Sequence, residues 1–410
     1  MSSQSKNMSQ KMGTRSKALI TKPISPHLIS NSTNPQKPGK TLRPQGDPVA
    51  SPKLYPRFIA PPPTNLVNLS LSMDVILPEE AKTSRDAESL VFHALGDTGG
   101  INGDYVQKAI SDEMDKQISA AMQGNKLAPA FYYHLGDVVY FNGESNLYAG
   151  QFYEPYQNYH ASIFAIAGNH DGDTHTRPGD PVDTEPSLFG FMRNFCDTTS
   201  QHDSPYRPTM TQPYVYWTYE TPFATIVGLY SNVDGTLDAR GTSEQLQWFQ
   251  QQMASAPSDK ALVVAVHHPP YSLDSVHGGY PDIGIALDRV IQATGRIPTI
   301  VLSGHVHSYQ RFERDLNPQK VPYVIAGAGG YDTTSRALHK IEKNQAGNPL
   351  PLNFQTTRQD LKLMSYNDQE PGFLRITIDA KKKTLTSDYF IVPFDGISPE
   401  KLFDTVTVPW

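Results

Sequence analysis

Five times along the chain a short apolar run ends in a small polar cluster. Val91–Leu95 leads into Gly96-Asp97-Thr98-Gly99, and Tyr132–Leu135 leads into Gly136-Asp137-Val138-Val139-Tyr140. Ile163–Ala167 precedes Gly168-Asn169-His170-Asp171, Ala261–Val266 precedes His267-His268, and Thr299–Leu302 precedes Gly304-His305-Val306-His307. Runs this short, bounded by turn formers, have the length of buried strands rather than helices. Ala224–Leu229, Tyr323–Ala326, Leu374–Ile378 and Thr384–Val392 read as further strands. Between them, Val106, Ile110, Met114, Ile118 and Met122 recur every four residues, the pattern of an amphipathic helix. Thr242 with Gln245 reads as a capping box that opens a helix burying Leu246, Phe249 and Met253. The alternation implies an α/β fold with two sheets covered by helices. The carboxyl ends of strands in such sheets face a common crevice, so the five polar segments can converge there.

Charge separates the N-terminal part from the rest. Residues 1–63 carry ten Lys or Arg, one acid (Asp47) and eleven of the 34 prolines. That segment buries too little apolar surface to order itself and reads as a disordered, basic, Pro-rich tail ahead of a domain at 64–410. A solvated extension and an organelle transit peptide both fit its composition. The remaining residues carry a balance of −15, which argues against a nucleic-acid groove. No run of about 18 apolar residues spans a membrane, and the first twenty residues lack the apolar core of a signal peptide. A cytoplasmic location is therefore expected. Cys196 is the single cysteine, which excludes an internal disulfide framework and a zinc–thiolate cluster.

The polar clusters supply Asp97, Asp137, Asn169, His267, His305 and His307. Carboxylates, an amide oxygen and imidazoles suit Zn, Mn, Fe or Co better than Cu(I) or Ca. Six such groups exceed what one catalytic ion uses, and two ions bridged by one carboxylate account for the number. In an extended segment residues i and i+2 share a side, so His305 and His307 can each serve one of two neighbouring ions. The glycines before Asp97, Asp137, Asn169 and His305 are expected to let the backbone turn sharply beneath the ions.

The ordered set Asp97-Thr98-Gly99, Gly136-Asp137, Gly168-Asn169-His170-Asp171, Val264-x-x-His267 and Gly304-His305-x-His307 resembles the calcineurin-like metallophosphoesterases. Gly99, Tyr140 and the run Gly304–Arg314 make it most similar to the purple acid phosphatases within that superfamily. The resemblance implies a four-layer α/β/β/α sandwich. It also implies a ferric site made by Asp97, Asp137, Tyr140 and His307, and a divalent site for Fe(II), Zn or Mn made by Asp137, Asn169, His267 and His305. The reaction it implies is hydrolysis of a small phosphate monoester, with a metal-bound hydroxide as nucleophile and His170 and His277 meeting the phosphate or leaving group. A phosphodiesterase or nucleotide pyrophosphatase could use the same ions, and a non-catalytic scaffold could use the same fold.

Bland readings stand beside these. His268 competes with its neighbour His267, and Tyr140 could be one more packed ring in a chain with 21 tyrosines. His93, His134, His160 and His202 fall outside every motif and read as structural. Asp171 and Asp173 read as braces for their loop. The Pro-rich stretch 172–213 has the length of a lid or substrate-selecting loop, and Arg177, Arg193 and Arg207 within it either grip a remote phosphate or lie on the surface.

Overall fold

Strands form where the apolar runs lie, and six further strands complete the sheets. The computed structural model describes residues 45–48, 60–64, 68–173, 185–202, 204–233, 236–239 and 241–410. In chain order the strands are β1 (Ser70–Ser72), β2 (Ser89–Leu95), β3 (Phe131–His134), β4 (Ser162–Ala165), β5 (Trp217–Glu220), β6 (Ala224–Leu229), β7 (Ala261–Val266), β8 (Ile300–Ser303), β9 (Tyr309–Asp315), β10 (Lys320–Ala326), β11 (Phe354–Gln355), β12 (Leu361–Asn367), β13 (Gly372–Asp379), β14 (Thr384–Ile391) and β15 (Lys401–Pro409). One sheet has the order β15-β14-β13-β2-β3-β4 and the other β1-β5-β6-β7-β8-β10-β9-β12-β11. Each is mixed, with one parallel run: β2, β3 and β4 at one end of the first, and β6, β7, β8 and β10 in the middle of the second. Their carboxyl ends carry the polar clusters.

The sheets face each other across a core that includes Phe92, Phe131 and Phe164 from one side and Trp217, Tyr219 and Val263 from the other. Full burial of a side chain of this size contributes about 1.5–3 kcal/mol. Outside the smaller sheet, the helix Tyr105–Gln123 packs Val106, Ile110, Met114 and Ile118 with Tyr132 and Ile163. The four-residue period stops there, since Met122 in the last turn is exposed. Outside the larger sheet, Phe249 and Met253 of the helix Glu244–Ser255 join Ile283, Leu287 and Val290 of the helix Pro281–Thr294. The result is the expected two-sheet sandwich with helices on both outer faces. At one corner Arg311 of β9 donates two bonds (2.7 and 3.0 Å) to the carboxylate of Asp404 in β15, and Tyr309 donates a third at 2.7 Å. This half-buried group ties the two sheets together.

One local expectation is corrected. The Thr242–Gln245 capping box does not form. Asp238 caps that helix instead, accepting from Gln245 N at 2.7 Å and Leu246 N at 2.9 Å, while the Gln245 amide is buried against the Tyr230 backbone. Most of the 1–63 segment lies outside the described residues, but Gln45–Pro48 is bonded to the body. Gly46 N donates to the Glu342 carboxylate at 2.6 Å, and the Gly46 and Pro48 carbonyls accept from Thr357 N (2.8 Å) and Ser272 N (3.0 Å).

Candidate metal centre

The five clusters meet at the seam between the sheets. The smaller sheet delivers Asp97, Asp137 and Asn169 from the ends of β2, β3 and β4, and the larger delivers His267, His305 and His307 from the ends of β7 and β8. All six are buried.

Gly136 (φ 93°) turns as expected, and the residues after three of the glycines turn as well. Asp97 (φ 61°), Asp137 (φ 54°) and His305 (φ 66°) occupy the left-handed region themselves, at about 1–3 kcal/mol each. The glycine at 168 serves close approach instead. A Cβ there would lie 2.1 Å from Asp137 Oδ1 and 2.4 Å from Asp137 N. Likewise a Cβ on Gly304 would lie 2.7 Å from Asp97 Oδ2. Residues 304–307 are bent rather than extended, so simple alternation does not orient the two histidines. They nonetheless face different groups of side chains.

One group gathers around Asn169. Its Oδ1 lies 3.1 Å from His267 Nε2 and 2.9 Å from His305 Nδ1. The other gathers around the Tyr140 hydroxyl, which lies 3.2 Å from Asp97 Oδ1, 3.0 Å from Asp137 Oδ2 and 3.3 Å from His307 Nε2. Asp137 Oδ2 belongs to both, being also 3.3 Å from His267 Nε2. Backbone N–H groups aim the two carboxylates. His170 N donates to Asp137 Oδ1 (2.8 Å) and His305 N donates to Asp97 Oδ2 (2.7 Å), which leaves the second oxygen of each facing the centre.

The protonation chemistry fits a cation. His267 Nδ1 lies 2.8 Å from the Leu135 carbonyl, which can only accept, so Nδ1 carries the proton. A neutral ring then points its Nε2 lone pair at two further acceptors, Asn169 Oδ1 and Asp137 Oδ2. With the Asn169 oxygen turned inward, three acceptors this close favour positive charge among them. A proton on Nε2 is one solution: burial lowers the affinity of His267 for it, but Asp137 and then Asp97 raise its pKa to about 9. A metal ion is the other, since neighbouring donors on an ion bound at about 2.0–2.2 Å lie roughly 3 Å apart. Burial pushes Asp97 upward, against the opposing pull of His307. Burial also penalises ionised Asp137, but the charges of His267 and His170 outweigh it and hold the carboxyl below its ordinary range. Burial and the two carboxylates push Tyr140 well above the phenol range, so its proton stays on unless a cation displaces it.

The other residues singled out by the sequence fall into place around this centre. His170 is half-buried, its ring 4.5 Å from Tyr140 and its Nδ1 2.7 Å from the Phe141 carbonyl. His277 is half-buried with its ring 4.6 Å from His305. His268 has its Nδ1 2.8 Å from the Ser231 hydroxyl while His267 faces Asp137, yet His267, His268 and His305 also lie close enough together to share an ion. Asp171 braces the turn as expected, accepting from Val138 N at 2.9 Å and Gly168 N at 2.8 Å. His134 is held by Thr98 at 2.9 Å, His93 by Tyr159 at 3.0 Å, and exposed His160 by Asp115 at 2.7 Å, while His202 is exposed without a place in the centre. Arg207 grips no phosphate: it is an internal staple donating to the carbonyls of Tyr156, Tyr159 and Ala161. Arg193 is exposed, and Arg177 lies outside the described residues.

Three residues of the centre were not anticipated. Tyr280 places its hydroxyl 2.8 Å from His305 Nε2, and the rings of Tyr331 and His339 each lie 4.4 Å from His307. Tyr331 was legible in principle, because Tyr323–Ala326 also ends in a small cluster, Gly327-Ala328-Gly329-Gly330-Tyr331. Tyr280 and His339 belong to no such pattern.

Residues 90–309, more than half of the chain, match the family model for calcineurin-like phosphoesterases. The chain belongs to this family. It is a metallophosphoesterase with a candidate two-metal site, built on two mixed sheets. Its similarity to purple acid phosphatases is distant: purple acid phosphatase 22 of Arabidopsis thaliana is 26% identical over 132 residues, covering 31% of this chain and 29% of that protein. A probable glycerophosphodiester phosphodiesterase of Arcobacter nitrofigilis is 29% identical over 84 residues, covering 20% of this chain and 30% of the relative. The matched stretches thus span less than a third of either relative. Among solved structures, the yellow lupin purple acid phosphatase PPD1 shares the fold with a TM-score of 0.53 at 18% identity, over 78% of this chain and 54% of that one. GAP50 of Plasmodium, described as the anchor in the inner membrane complex, has the same TM-score at 11% identity, over 78% and 89%. No helix among the described residues is long and apolar enough to cross a membrane.

Proposed function

We propose that residues 64–410 form a dinuclear-metal phosphatase of the purple acid phosphatase type, acting on phosphate monoesters. The observation that carries this reading is Asp137 Oδ2, shared between the Tyr140 group and the Asn169 group. Asp97, Asp137, Tyr140 and His307 would hold a ferric ion, because three oxygen donors, one of them a phenol, favour a hard trivalent charge. Asp137, Asn169, His267 and His305 would hold a divalent ion, Fe(II), Zn or Mn. When bound, such a pair supplies an activated water and neutralises the phosphate oxygens.

The chain's own residues do the rest. Leu135 and Tyr280 orient the imidazoles of His267 and His305. Tyr140 would hold the ferric ion as a phenolate, its proton, shared with two carboxylates when no ion is bound, being released to solvent on binding. The Phe141 carbonyl accepts a hydrogen bond from His170 Nδ1, which supports a role for His170 Nε2 at the phosphate or the leaving group. His277 would flank the leaving group from the His305 side.

A phosphodiesterase is the second reading, supported by the similarity to the Arcobacter relative. Turnover of p-nitrophenyl phosphate against its bis ester separates the two: the monoester should be the better substrate by at least about tenfold. Elemental analysis of protein purified without chelator tests the centre itself, with about two metals per chain expected, one of them iron. A preparation free of metal and inactive after reconstitution would instead mark a scaffold of the same fold.

A further inference from the structure

The three imidazoles of the centre are not held alike. His267 has the Leu135 carbonyl on its outer nitrogen and His305 has the Tyr280 hydroxyl. Ligating histidines ordinarily need such a contact to fix ring and tautomer. His307 has none: its Nδ1 is buried and has no hydrogen-bonding group among the described residues. Two rings touch it instead: Tyr331, tilted by 47° at 4.4 Å, and His339, which alone of the two is stacked on it and lies 32 residues further on, outside every motif.

The contact is threefold. The two rings are stacked, with centroids 4.4 Å apart and planes 11° apart. His307 N donates to His339 Nδ1 at 3.1 Å, and His339 N donates back to the His307 carbonyl at 2.9 Å. The segment carrying His339 is itself anchored, because Ser275 N donates to the Lys340 carbonyl and Glu342 N to the Leu273 carbonyl, each at 2.8 Å. Asp274, between those anchors, accepts from Val276, His277 and Gly278 N.

We propose that His339 is the positioning residue for His307, its stacked ring supplying the orientation that a hydrogen bond supplies to the other two histidines. The inference rests on the two-metal reading above. The ring does this as a flat neighbour, so aromatic shape matters more than its nitrogens.

Three variants test it, read by metal content and metal affinity of the purified chain rather than by turnover. His339→Ala removes the stack and is expected to weaken retention of one of the two metals by 10–100-fold. His339→Phe keeps a flat ring and loses the Nδ1 acceptor, and should stay within about threefold of wild type. His339→Asn keeps a polar acceptor and loses the ring, and should behave like His339→Ala. Equal retention by the Ala and Phe variants, or an Asn variant matching wild type, overturns the proposal. If His339→Ala does not fold, the Phe and Asn pair still decides. A wild-type chain that binds no metal defeats the two-metal reading itself, whereas a wild type with two tight metals and an unaffected His339→Ala defeats only this inference.

Discussion

Oδ2 of Asp137 stands 3.3 Å from Nε2 of His267, whose other nitrogen is committed to a backbone carbonyl. The same oxygen meets the Tyr140 hydroxyl, so one atom connects the two groups of donors. Replacing Asp137 by Asn keeps the shape and removes the charge. Asp137→Asn is expected to lower turnover by roughly 10²–10³ or more, on the scale of losing a principal transition-state contact. Metal content should fall at both positions, and near-normal turnover with two metals bound would refute the shared-ligand arrangement.

Tyr140→Phe removes one oxygen and leaves the ring's packing against Tyr331, 4.5 Å away, so the fold should persist. Iron-loaded, aerobically prepared wild type is expected to absorb in the visible through its phenolate, and the variant to lose that band. Some activity should survive with two divalent ions, since Asp97, Asp137 and His307 remain. An unchanged spectrum in the variant would remove Tyr140 from the donor set.

Gly168→Ala adds a single methyl 2.1 Å from Asp137 Oδ1. The turn cannot accommodate it without moving the carboxylate. A stability loss of about 1–3 kcal/mol, typical of overpacking, is expected in urea unfolding, together with reduced metal content. A variant with wild-type metal content would mean that this turn is more compliant than its close contacts imply.

The junction at Gln45–Pro48 gives a truncation test. A chain beginning at residue 49 loses three hydrogen bonds that a chain beginning at residue 43 retains. The longer form should be more stable by about 1–3 kcal/mol. Identical urea midpoints would show those bonds to be dispensable.

Glu400 supplies a test by pH away from the metals. Burial first and Glu113 second raise its carboxyl to about 7, against an ordinary value near 4.5. Between those two pH values the folded chain keeps a proton that the unfolded chain releases. Stability from this source is therefore complete below about pH 4.5, falls as pH rises to about 7 and is level above. Glu400→Gln removes the dependence, so its Tm relative to wild type should be higher at pH 8 than at pH 5. A Tm difference that is the same at both values would exclude the effect.

What could be read in the sequence follows a physical line. Strands at the centre of the sheets are continuous apolar runs, buried on both faces, and the polar residues after them stand out by contrast. Edge strands carry no such contrast: Lys401–Pro409 has Leu402 and Phe403 exposed and Asp404 turned inward to Arg311, so its pattern resembles neither a core strand nor a loop. The left-handed turns at Asp97, Asp137 and His305 depend on what packs beneath them, which neighbours in sequence do not reveal. His305 lies beside Asn169 and His307 beside Tyr140, although the segment that carries them is bent rather than extended. Asp238 as a helix cap and His339 against His307 are contacts between separate loops, and no local pattern encodes them.

The donor atoms are divided between two sheets, and neither sheet holds a complete set. A chain whose sheets have not docked therefore offers only half a site, and an ion gains its full affinity only from the closed sandwich. Binding free energy at this seam is spent on docking rather than on either sheet. At a free ion concentration one hundred times the dissociation constant, that adds about 2.7 kcal/mol to the closed form alone. An ion held there would act as a rivet, and its supply in the surroundings would set how often the seam opens.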